Sequence, residues 1–333
     1  MTLKELAKIA GVSPSTVSLV LNNRVGVGDA KRKEILDLLE KYNFNIPKKN
    51  GFDKNLMFLK YIRHGMIVEE NAGFISSIMD SIEAECRNEG YSLSITISEN
   101  CLENTLQNID FSKFSGLFVL GTELDTTSYP LLSKIPIPYI VLDNIMPGFN
   151  CNAISMSNVE MVHQALCHLA SMGHKSIGYL RSSVKAQNFD ERAFSFRNTA
   201  KELGLAFDKE HEFLLEPTLL HSYHNMKEYL KKGISLPNCL FADNDTIAIG
   251  AIKALKEWKY KIPEDISVMG FDNIHFAEIN SPALSTMSVP KKLIGFTALK
   301  HLHMAIENKD FSNVKTKIGG ELIVRRSTQP FTT

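Results

Sequence analysis

Apolar residues near the start of the chain recur at the spacing of an amphipathic helix. The first such group comprises Leu3, Leu6, Ala7 and Ala10. This spacing predicts a helix over about residues 3–10. Thr2 and Glu5 form a T-x-x-E capping box at the start of this helix, and such a box satisfies free backbone N–H groups of the first turn. Gly11 supplies the residue type that commonly ends a helix.

A second apolar group predicts another short helix. Ser13 can cap it, and Pro14 can take its first position, where a missing N–H costs nothing. One side of this helix carries Val17, Val20 and Leu21, and the other side carries Ser15, Thr16, Leu19 and Asn22. A third helix over about residues 29–42 completes a helix-turn-helix. The second helix of that motif lies in the DNA major groove, although the pattern alone also allows a three-helix scaffold that binds a protein.

From about residue 57 onward, short β-rich runs alternate with helical segments, which is typical of parallel α/β sheets. The predicted strands are residues 92–97, 116–121, 138–143, 176–180, 239–243 and 266–272. The predicted helices are residues 75–89, 158–172, 191–204, 222–232, 245–258 and 291–307. Ligands of open α/β sheets bind beyond the carboxyl ends of the strands. The candidate residues at those ends are Asp143, residues 181–183, Asn244, Asp245, Asp272 and Asn273.

Charge is distributed unevenly along the chain, although the formal net charge is zero. Residues 1–60 contain eleven lysines and arginines against six acidic residues, so they carry a formal charge of +5 and the remainder carries −5. A basic segment attracts polyanions such as DNA. We therefore expect the first segment, and not the body, to meet a nucleic acid.

Cysteine usage and hydropathy indicate a cytoplasmic protein. The five cysteines are odd in number and include no C-x-x-C pair, which argues against a disulfide framework and against a zinc site. The start of the chain lacks the apolar run of a signal peptide, and no apolar stretch approaches the roughly 20 residues of a membrane span. We expect no membrane partner.

Enzyme fingerprints are absent from the sequence. It contains no G-x-x-x-x-G-K-[ST] loop, no G-x-G-x-x-G after a strand and no G-x-S-x-G elbow. Two closely spaced histidine pairs, His221 with His224 and His301 with His303, have no convergent third ligand in the sequence. We therefore expect no catalytic residues, no metal and no cofactor.

The segment TLKELAKIAGVSPSTVSLVLNN, which begins at Thr2, closely resembles the DNA-binding headpiece of the lactose-repressor (LacI/GalR) family. The family pattern is T-[IL]-x-[DE]-[VIL]-A-x-x-A-G-V-S-x-x-T-V-S-x-V-[IL]-N. The resemblance implies a DNA-binding domain over residues 1–46 in which Pro14, Ser15 and Leu19 read bases. The full implied contact set is Thr2, Leu3, Ser13, Pro14, Ser15, Thr16, Ser18, Leu19, Asn22, Lys48 and Lys49. Leucine at position 19 offers a base only apolar contact.

Residues 47–56 occupy the place of the family's hinge helix. They lack the usual P-N-x-x-A-R-x-L pattern and carry Gly51, which costs a helix about 0.5–1 kcal/mol relative to alanine. We expect a linker or a degenerate hinge here, with Lys48 and Lys49 binding phosphate and Leu56 as the candidate for an apolar wedge in the minor groove. A plain basic linker is the alternative.

Segments of the body resemble the periplasmic-binding-protein-like core of the same family. The four matching segments are HLASMGHKSIGYL, DERAFSFRNTAKELGL, LFADNDTIAIGAIKAL and IPEDISVMGFDNIHFAEINSPALSTMSVP. The resemblance implies an α/β core over residues 57–333, built from two parallel α/β subdomains. The implied N-subdomain is about residues 57–157 and 290–319, and the implied C-subdomain is about residues 158–289 and 320–333. The family's usual first strand is not evident in residues 58–74.

The resemblance also implies an effector cleft between the subdomains. Its implied residues are Arg192, Asn244, Asp272 and, from the facing subdomain, Phe74. A guanidinium and a carboxylate can bracket vicinal hydroxyls, and an aromatic ring can cover the apolar side of a sugar. Other roles stay open: Asp272 can cap the following turn, Asn244 can cap a helix, and Arg192 can pair with Glu191 at the surface.

These observations together predict a homodimeric transcriptional repressor. Two headpieces are expected to bind a palindromic operator, and a small effector, a sugar or sugar derivative, is expected to control that binding. Control by a co-repressor or a partner protein is the main alternative. A solute-binding transport protein shares the core but has no use for the headpiece.

Overall fold

The structure, a computed structural model, describes residues 3–21, 26–42, 54–71, 73–99, 101–308 and 311–331. The chain divides into two compact units, residues 1–53 and residues 54–333. Within the described residues, no helix is both long enough and apolar enough to cross a membrane.

The first unit is a bundle of three helices. They are α1 (Leu3–Ile9), α2 (Pro14–Leu21) and α3 (Asp29–Lys41), which confirms the helices predicted from the apolar spacing. Their shared core consists of Leu6, Ala7, Ala10, Val17, Val20, Ile35 and Leu39. Ser13 is the N-terminal cap of α2, because its Oγ accepts the backbone N–H of Thr16 at 3.1 Å.

The second unit begins with a sheet of six parallel strands in the order β11-β5-β4-β3-β1-β2. The strands are β1 (Asn55–Ile62), β2 (Ser92–Glu99), β3 (Gly116–Leu120), β4 (Tyr139–Leu142), β5 (Asn152–Met156) and β11 (Lys315–Ile318). The helices that accompany it are α4 (Phe74–Asn88), α5 (Leu102–Asn108), α6 (Tyr129–Leu132) and α12 (Lys291–Glu307). We call this layer the first subdomain.

The other half of the second unit is a six-stranded sheet in the order β12-β10-β9-β8-β6-β7. Its strands are β6 (Gly178–Ser182), β7 (Glu212–Leu215), β8 (Cys239–Ala242), β9 (Ser267–Asp272), β10 (Ser285–Ser288) and β12 (Glu321–Ile323), of which β12 runs antiparallel to β10. Its helices are α7 (Asn158–Ser171), α8 (Gln187–Glu202), α9 (Leu219–Lys231), α10 (Asp245–Glu257) and α11 (His275–Ile279). We call this layer the second subdomain.

The chain crosses between the two subdomains three times within the described residues. It crosses from β5 to α7, from β10 to α12 and from β11 to β12. Each crossing is only a few residues long, so the subdomains are tied together along one side. The two sheets and the headpiece confirm the predicted fold class.

Several elements differ from the prediction. The family's usual first strand, which was not evident in residues 58–74, is β1. It pairs with β2 and β3 and is buried on both faces, so its sequence is mostly apolar and does not alternate. Because β1 begins at Asn55, Leu56 is a fully buried core residue, and the interpretation of Leu56 as a DNA wedge is wrong. Residues 47–53 of the expected linker lie outside the described residues. The prediction also missed the strands β5, β7, β10, β11 and β12, all of three to five residues.

Candidate functional site

The N-terminal end of α2 presents a cluster of hydroxyl groups at the surface. Ser13, Pro14 and Ser15 are exposed. The Oγ of Ser13 lies 2.6 Å from Ser15 Oγ and 2.8 Å from Thr16 Oγ1. The cluster can therefore meet phosphate oxygens or base edges at close range. Leu19 lies one turn further along the same helix and is half-buried.

The remaining predicted DNA-contact residues are only partly covered by the structure. Leu3 lies in α1 and Ser18 in α2. Thr2, Asn22, Lys48 and Lys49 lie outside the residues that the structure describes.

In the second unit, a closed cleft lies between the two subdomains, beyond the carboxyl ends of β4, β8 and β9. It encloses a cavity of only about 10 Å³, roughly room for one water molecule and far below the volume of an open ligand pocket. Three of the four predicted effector residues, Phe74, Arg192 and Asp272, line this cavity. The fourth, Asn244, is not among the lining residues but contacts one of them, Asn71.

Arg192 is the central cation of the cleft. It is 2% exposed, its Nε donates to Asn158 Oδ1 at 2.8 Å, and its Nη2 lies 3.4 Å from Asp272 Oδ1. Its Nη1 donates to the backbone carbonyl of Asp243, and the guanidinium carbon lies 3.7 Å from the centre of the Phe271 ring. The surface pairing with Glu191 that the sequence left open is therefore wrong.

Glu191 instead contacts other groups. It accepts from Lys317 at 2.8 Å and from Gln187 at 2.6 Å. Because Lys317 belongs to β11 of the first subdomain, this ion pair is one of the contacts that span the two subdomains.

Asp272 lies at the end of β9 with a positive φ of 108°, a backbone conformation that non-glycine residues rarely adopt. Its carboxylate accepts from Arg192 and from Asn71 Nδ2, at 3.4 Å and 3.3 Å, and these partners place it toward the cleft. Burial raises the pKa of Asp272, while Arg192 and Lys291 oppose that shift.

Asn244 acts as a helix cap. Its Oδ1 accepts the backbone N–H of Ile247 at 2.9 Å at the start of α10, which is the capping role that the sequence left open. Its Nδ2 points the other way and donates to Asn71 Oδ1 at 3.4 Å. Asn244 therefore reaches the cleft only through Asn71.

Asp143 and Asn188 also line the cavity. The sequence named Asp143 as a strand-end candidate without including it in the effector set, and it did not name Asn188. Asp143 follows β4, has a φ of 63° and is 4% exposed. Its carboxylate accepts from Thr122 Oγ1 at 2.6 Å and from Asn188 Nδ2 at 2.8 Å. The position of Asp143 at the end of a predicted strand was the sequence feature that marked it as a candidate. Asn188 was missed because α8 begins at Gln187 and not at residue 191.

Burial raises the pKa of Asp143 to about 6, although Thr122, Arg192 and Asn188 act to lower it. Burial likewise raises the pKa of Asp245 to about 7. The cavity itself is lined by two carboxylates, Asp143 and Asp272, and by one guanidinium. Such a lining favours a ligand that donates several hydrogen bonds.

The loop over residues 63–71 closes one side of the cleft. The buried Glu123 holds this loop, because its carboxylate accepts five backbone N–H groups between Arg63 and Val68 at 2.7–3.2 Å. Burial alone raises the pKa of Glu123, but these N–H groups and His64 outweigh it and lower the pKa. Ile67 of the loop packs against Ala186 and Phe189 of the second subdomain.

The described residues also form a surface groove outside the cleft, but they form no metal-binding group. No group of three or more histidine, cysteine, aspartate or glutamate residues there is placed to hold a metal ion. A surface groove of about 760 Å³ lies between α9 and α10 and includes Leu220, Tyr223 and Ile249. The groove is largely apolar and lies away from the cleft.

Two family models match the chain. One, described as "Bacterial regulatory proteins, lacI family", matches residues 2–46. The other, described as "Periplasmic binding protein-like domain", matches residues 166–328. The first match covers the three-helix bundle, and the second covers most of the second subdomain.

Curated relatives match over nearly their whole length. The HTH-type transcriptional repressor PurR of Mannheimia succiniciproducens is 30% identical over 335 residues, which are 98% of this chain and 98% of that protein. The protein of the same name from Haemophilus influenzae (strain PittEE) is 32% identical over 340 residues, with the same coverage of both chains.

Solved structures share the fold. A lac repressor dimer bound to operator and the anti-inducer ONPF superposes with a TM-score of 0.74 at 20% identity, over 99% of both chains. A transcriptional regulator CelR-cellobiose complex gives a TM-score of 0.73 at 20% identity, over 98% of this chain and 99% of that one. A regulator from Enterococcus faecium with bound ribose gives 0.68 at 22% identity, over 84% and 100%.

We expect Asp143→Asn to stabilise the ligand-free protein at pH 7.5 by about 1–3 kcal/mol, as measured by urea unfolding. An aspartate whose pKa rises from 3.8 to about 6 on folding costs stability above pH 6. That cost disappears as the pH falls toward 4, so the advantage of the variant should vanish over the same interval.

Asp125→Asn is a control of opposite sign, because hydrogen bonds from Thr127 and Ser128 and the charge of Arg63 outweigh the effect of burial and lower the pKa of Asp125. This substitution should destabilise the protein at pH 7.5. A destabilising effect of Asp143→Asn at the same pH would contradict our account of the cleft.

Proposed function

Because the chain belongs to the lacI family of bacterial regulatory proteins, we propose that a small ligand in the core cleft controls how tightly the headpiece binds operator DNA. The chain is a DNA-binding transcriptional repressor of this family, and members of the family are ligand-controlled. The observation that carries our proposal is the cluster of buried polar side chains from both subdomains that lines the cleft, including Asp143, Arg192 and Asp272.

On the DNA side, we assign base reading to the exposed end of α2. Pro14 and Ser15 are exposed there, and Leu19 lies one turn further along the helix and is half-buried. The hydroxyl groups of Ser13 and Thr16 are suited to hydrogen-bond a DNA phosphate or the helix itself. Lys48 and Lys49 are proposed to add phosphate contacts. Leu19 can contact a thymine methyl but cannot pair with a base edge.

We propose that the protein acts as a homodimer, because one short recognition helix contacts too few base pairs for a specific site. Exposed apolar side chains support a second copy as the partner. On the first subdomain, Ile95 and Ile97 of β2 are 56% and 54% exposed, and β2 is an edge strand, which proteins usually cover. On the second subdomain, Leu220 and Ile279 are 58% and 74% exposed beside or near the groove between α9 and α10.

For the ligand, we propose a sugar or sugar derivative. The two carboxylates can accept hydrogen bonds from sugar hydroxyl groups, and Arg192 can donate hydrogen bonds to them. The rings of Phe74 and Phe189 offer apolar faces. The closed cleft leaves only about 10 Å³, so the subdomains must move apart to admit a sugar. A co-repressor or partner protein is the second candidate. Catalysis is not part of our proposal, because the relatives are named as repressors.

Ligand control follows from the way the subdomains are joined. The three short crossings between them restrict their relative motion to opening and closing of the cleft, as in hinged proteins. The chain passes from the headpiece through the linker into β1 of the first subdomain. A ligand that bridges both subdomains therefore changes the position of the subdomain that carries the headpiece linker. By linkage, operator DNA must change ligand affinity by the same factor.

We expect Leu19→Arg to change the preferred operator, because arginine can form a bidentate contact to guanine and leucine cannot. Selection from a random duplex library should recover a different base at one position of each half-site. Ile9→Arg adds the same charge at a residue of α1 that is 49% exposed and should leave the selected sequence unchanged. An unaltered selection for Leu19→Arg would mean that position 19 does not read DNA.

The dimer can be tested by analytical ultracentrifugation of the full chain. Ile279→Glu is expected to shift the protein from dimer to monomer at micromolar concentration, because the interface would then bury a carboxylate. Phe194→Glu, at a position that is 63% exposed on α8, is the matched control and should remain dimeric. A dimeric Ile279→Glu variant would exclude this surface as the interface.

Ligand binding can be tested by thermal shift and isothermal titration with D-ribose, D-glucose, D-galactose and cellobiose. Asp272→Asn is expected to lower the affinity for the sugar by about tenfold or more, because a hydrogen bond to a charged group contributes about 1.5–3 kcal/mol. Asp190→Asn, on the exposed side of α8, is the control and should bind normally. If no sugar binds, or if Asp272→Asn binds as well as the control, the cleft is not a sugar site.

A further inference from the structure

Asn71 makes an unusual set of contacts at the cleft. It belongs to the first subdomain and is 4% exposed, yet the polar atoms of its side chain bind the second subdomain. Its Nδ2 donates to Asp272 Oδ2 at 3.3 Å. Its Oδ1 accepts from Thr246 Oγ1 at 3.0 Å and from Asn244 Nδ2 at 3.4 Å. One carboxamide thus spans the boundary between the subdomains.

The partners of Asn71 are arranged as a receptor for a carboxamide. The carboxylate of Asp272 can only accept a hydrogen bond, while the amide of Asn244 and the hydroxyl of Thr246 donate. These groups are fully or almost fully buried, so each needs a partner to avoid a desolvation penalty. Asn71 supplies the matching NH₂ donor and C=O acceptor in one group. We call Asp272, Asn244 and Thr246 the amide subsite.

The loop that carries Asn71 is preorganised for this contact. Glu123 fixes the backbone over residues 63–68 with five hydrogen bonds, and Ile67 packs on Phe189 of the second subdomain. Asn71 is therefore presented from a fixed support and not from a free loop. Little conformational entropy is lost when it enters the subsite.

We propose that Asn71 is an internal ligand of the cleft. Its carboxamide fills the amide subsite in the ligand-free protein, holds the two subdomains closed, and is displaced when an effector presents its own adjacent donor and acceptor. A pair of vicinal hydroxyls or a carboxamide on the effector meets this requirement. The proposal rests on the proposed function only in taking this cleft as the effector site.

The contact distances agree with a displaceable contact. The two bonds between nitrogen and oxygen are 3.3 and 3.4 Å long, beyond the common range for N–H···O bonds. A ligand group of better geometry can therefore replace Asn71 at the same partners. With Asn71 in place the cavity measures only about 10 Å³, so an effector has to displace Asn71 as the cleft opens.

Hydrogen exchange of the full-length, ligand-free protein tests the closure. The reporter is the backbone N–H of Ile145, which donates across the cleft to Gln187 Oε1 at 3.3 Å. Asn71→Ala should speed exchange in the peptide containing Ile145 by about tenfold, because the lost bonds together contribute on the order of 1.4 kcal/mol. Glu70→Ala, at the exposed neighbouring residue, is the control and should exchange as the unmodified protein does.

Asn71→Asp provides a second variant of the same shape. It removes the NH₂ donor and places a carboxylate against Asp272, so exchange at Ile145 should be faster still. Circular dichroism of each variant establishes that it is folded. If Asn71→Ala and Asn71→Asp both exchange like Glu70→Ala, Asn71 does not hold the cleft closed and the proposal is wrong.

Chemical rescue tests the subsite itself. Acetamide has the same carboxamide group that Asn71→Ala removes, and it should slow exchange at Ile145 in that variant toward the unmodified rate. Acetate, which has a similar shape but a negative charge and no NH₂ donor, should not. Equal effects of the two compounds, or no effect of either, would overturn the assignment of the amide subsite.

A double-mutant cycle supplies an independent check from the other side of the contact. Thr246→Val removes the hydroxyl donor at nearly constant volume, and its effect on exchange should be smaller in the Asn71→Ala background than in the unmodified protein. Fully additive effects would contradict a direct contact. All of these measurements use ligand-free protein. They therefore test the closure by Asn71 independently of whether any sugar binds in the cleft.

Discussion

The core depends on the way one buried guanidinium is satisfied. Arg192 is almost fully buried, and such a charge is tolerated only where hydrogen bonds and an opposite charge replace its water. Its partners come from four different elements: Asn158 at the start of α7, Met156 at the end of β5, the carbonyl of Asp243 after β8, and Asp272 at the end of β9. One side chain of α8 therefore fixes where strand ends from both sheets meet.

A single guanidinium does not neutralise all the carboxylates around it. Asp143 has neutral hydrogen-bond partners, and burial raises its pKa to about 6. Lys291 adds a second cation, but its Nζ donates to the backbone carbonyls of Asp272 and Asn273. Asp143, Asp272 and Asn273 also have positive φ, a form of strain that clusters at functional sites. The buried carboxylates and the strained backbone of the cleft therefore lower the stability of the folded protein. They also provide polar groups to which a ligand can hydrogen-bond.

The sequence predicted the parts of this arrangement that depend on local pattern. Helical spacing and strand-helix alternation determine the fold class, and the ends of strands point to Asp143 and Asp272. The strand β1 was missed because both of its faces are buried, and the short strand β11 because its sequence carries no apolar alternation. The position of Asn71 depends on Glu123, which lies more than fifty residues away in the chain, and no local pattern encodes such a contact.

Whether the cleft can respond to a ligand depends on how weakly it is closed. The contacts across it include the hydrogen bonds of Asn71, Asn188 and Gln187, those of Lys291 to the carbonyls of Asp272 and Asn273, the apolar packing of Ile67, and the ion pair of Lys317 and Glu191. The hydrogen bonds between neutral groups contribute about 0.5–1.5 kcal/mol each, so those of Asn71 are a part of the closing free energy that a ligand can replace. A ligand shifts an equilibrium only by its difference in affinity for the two states, commonly about 1–3 kcal/mol. A neutral carboxamide keeps closure within the reach of a small ligand.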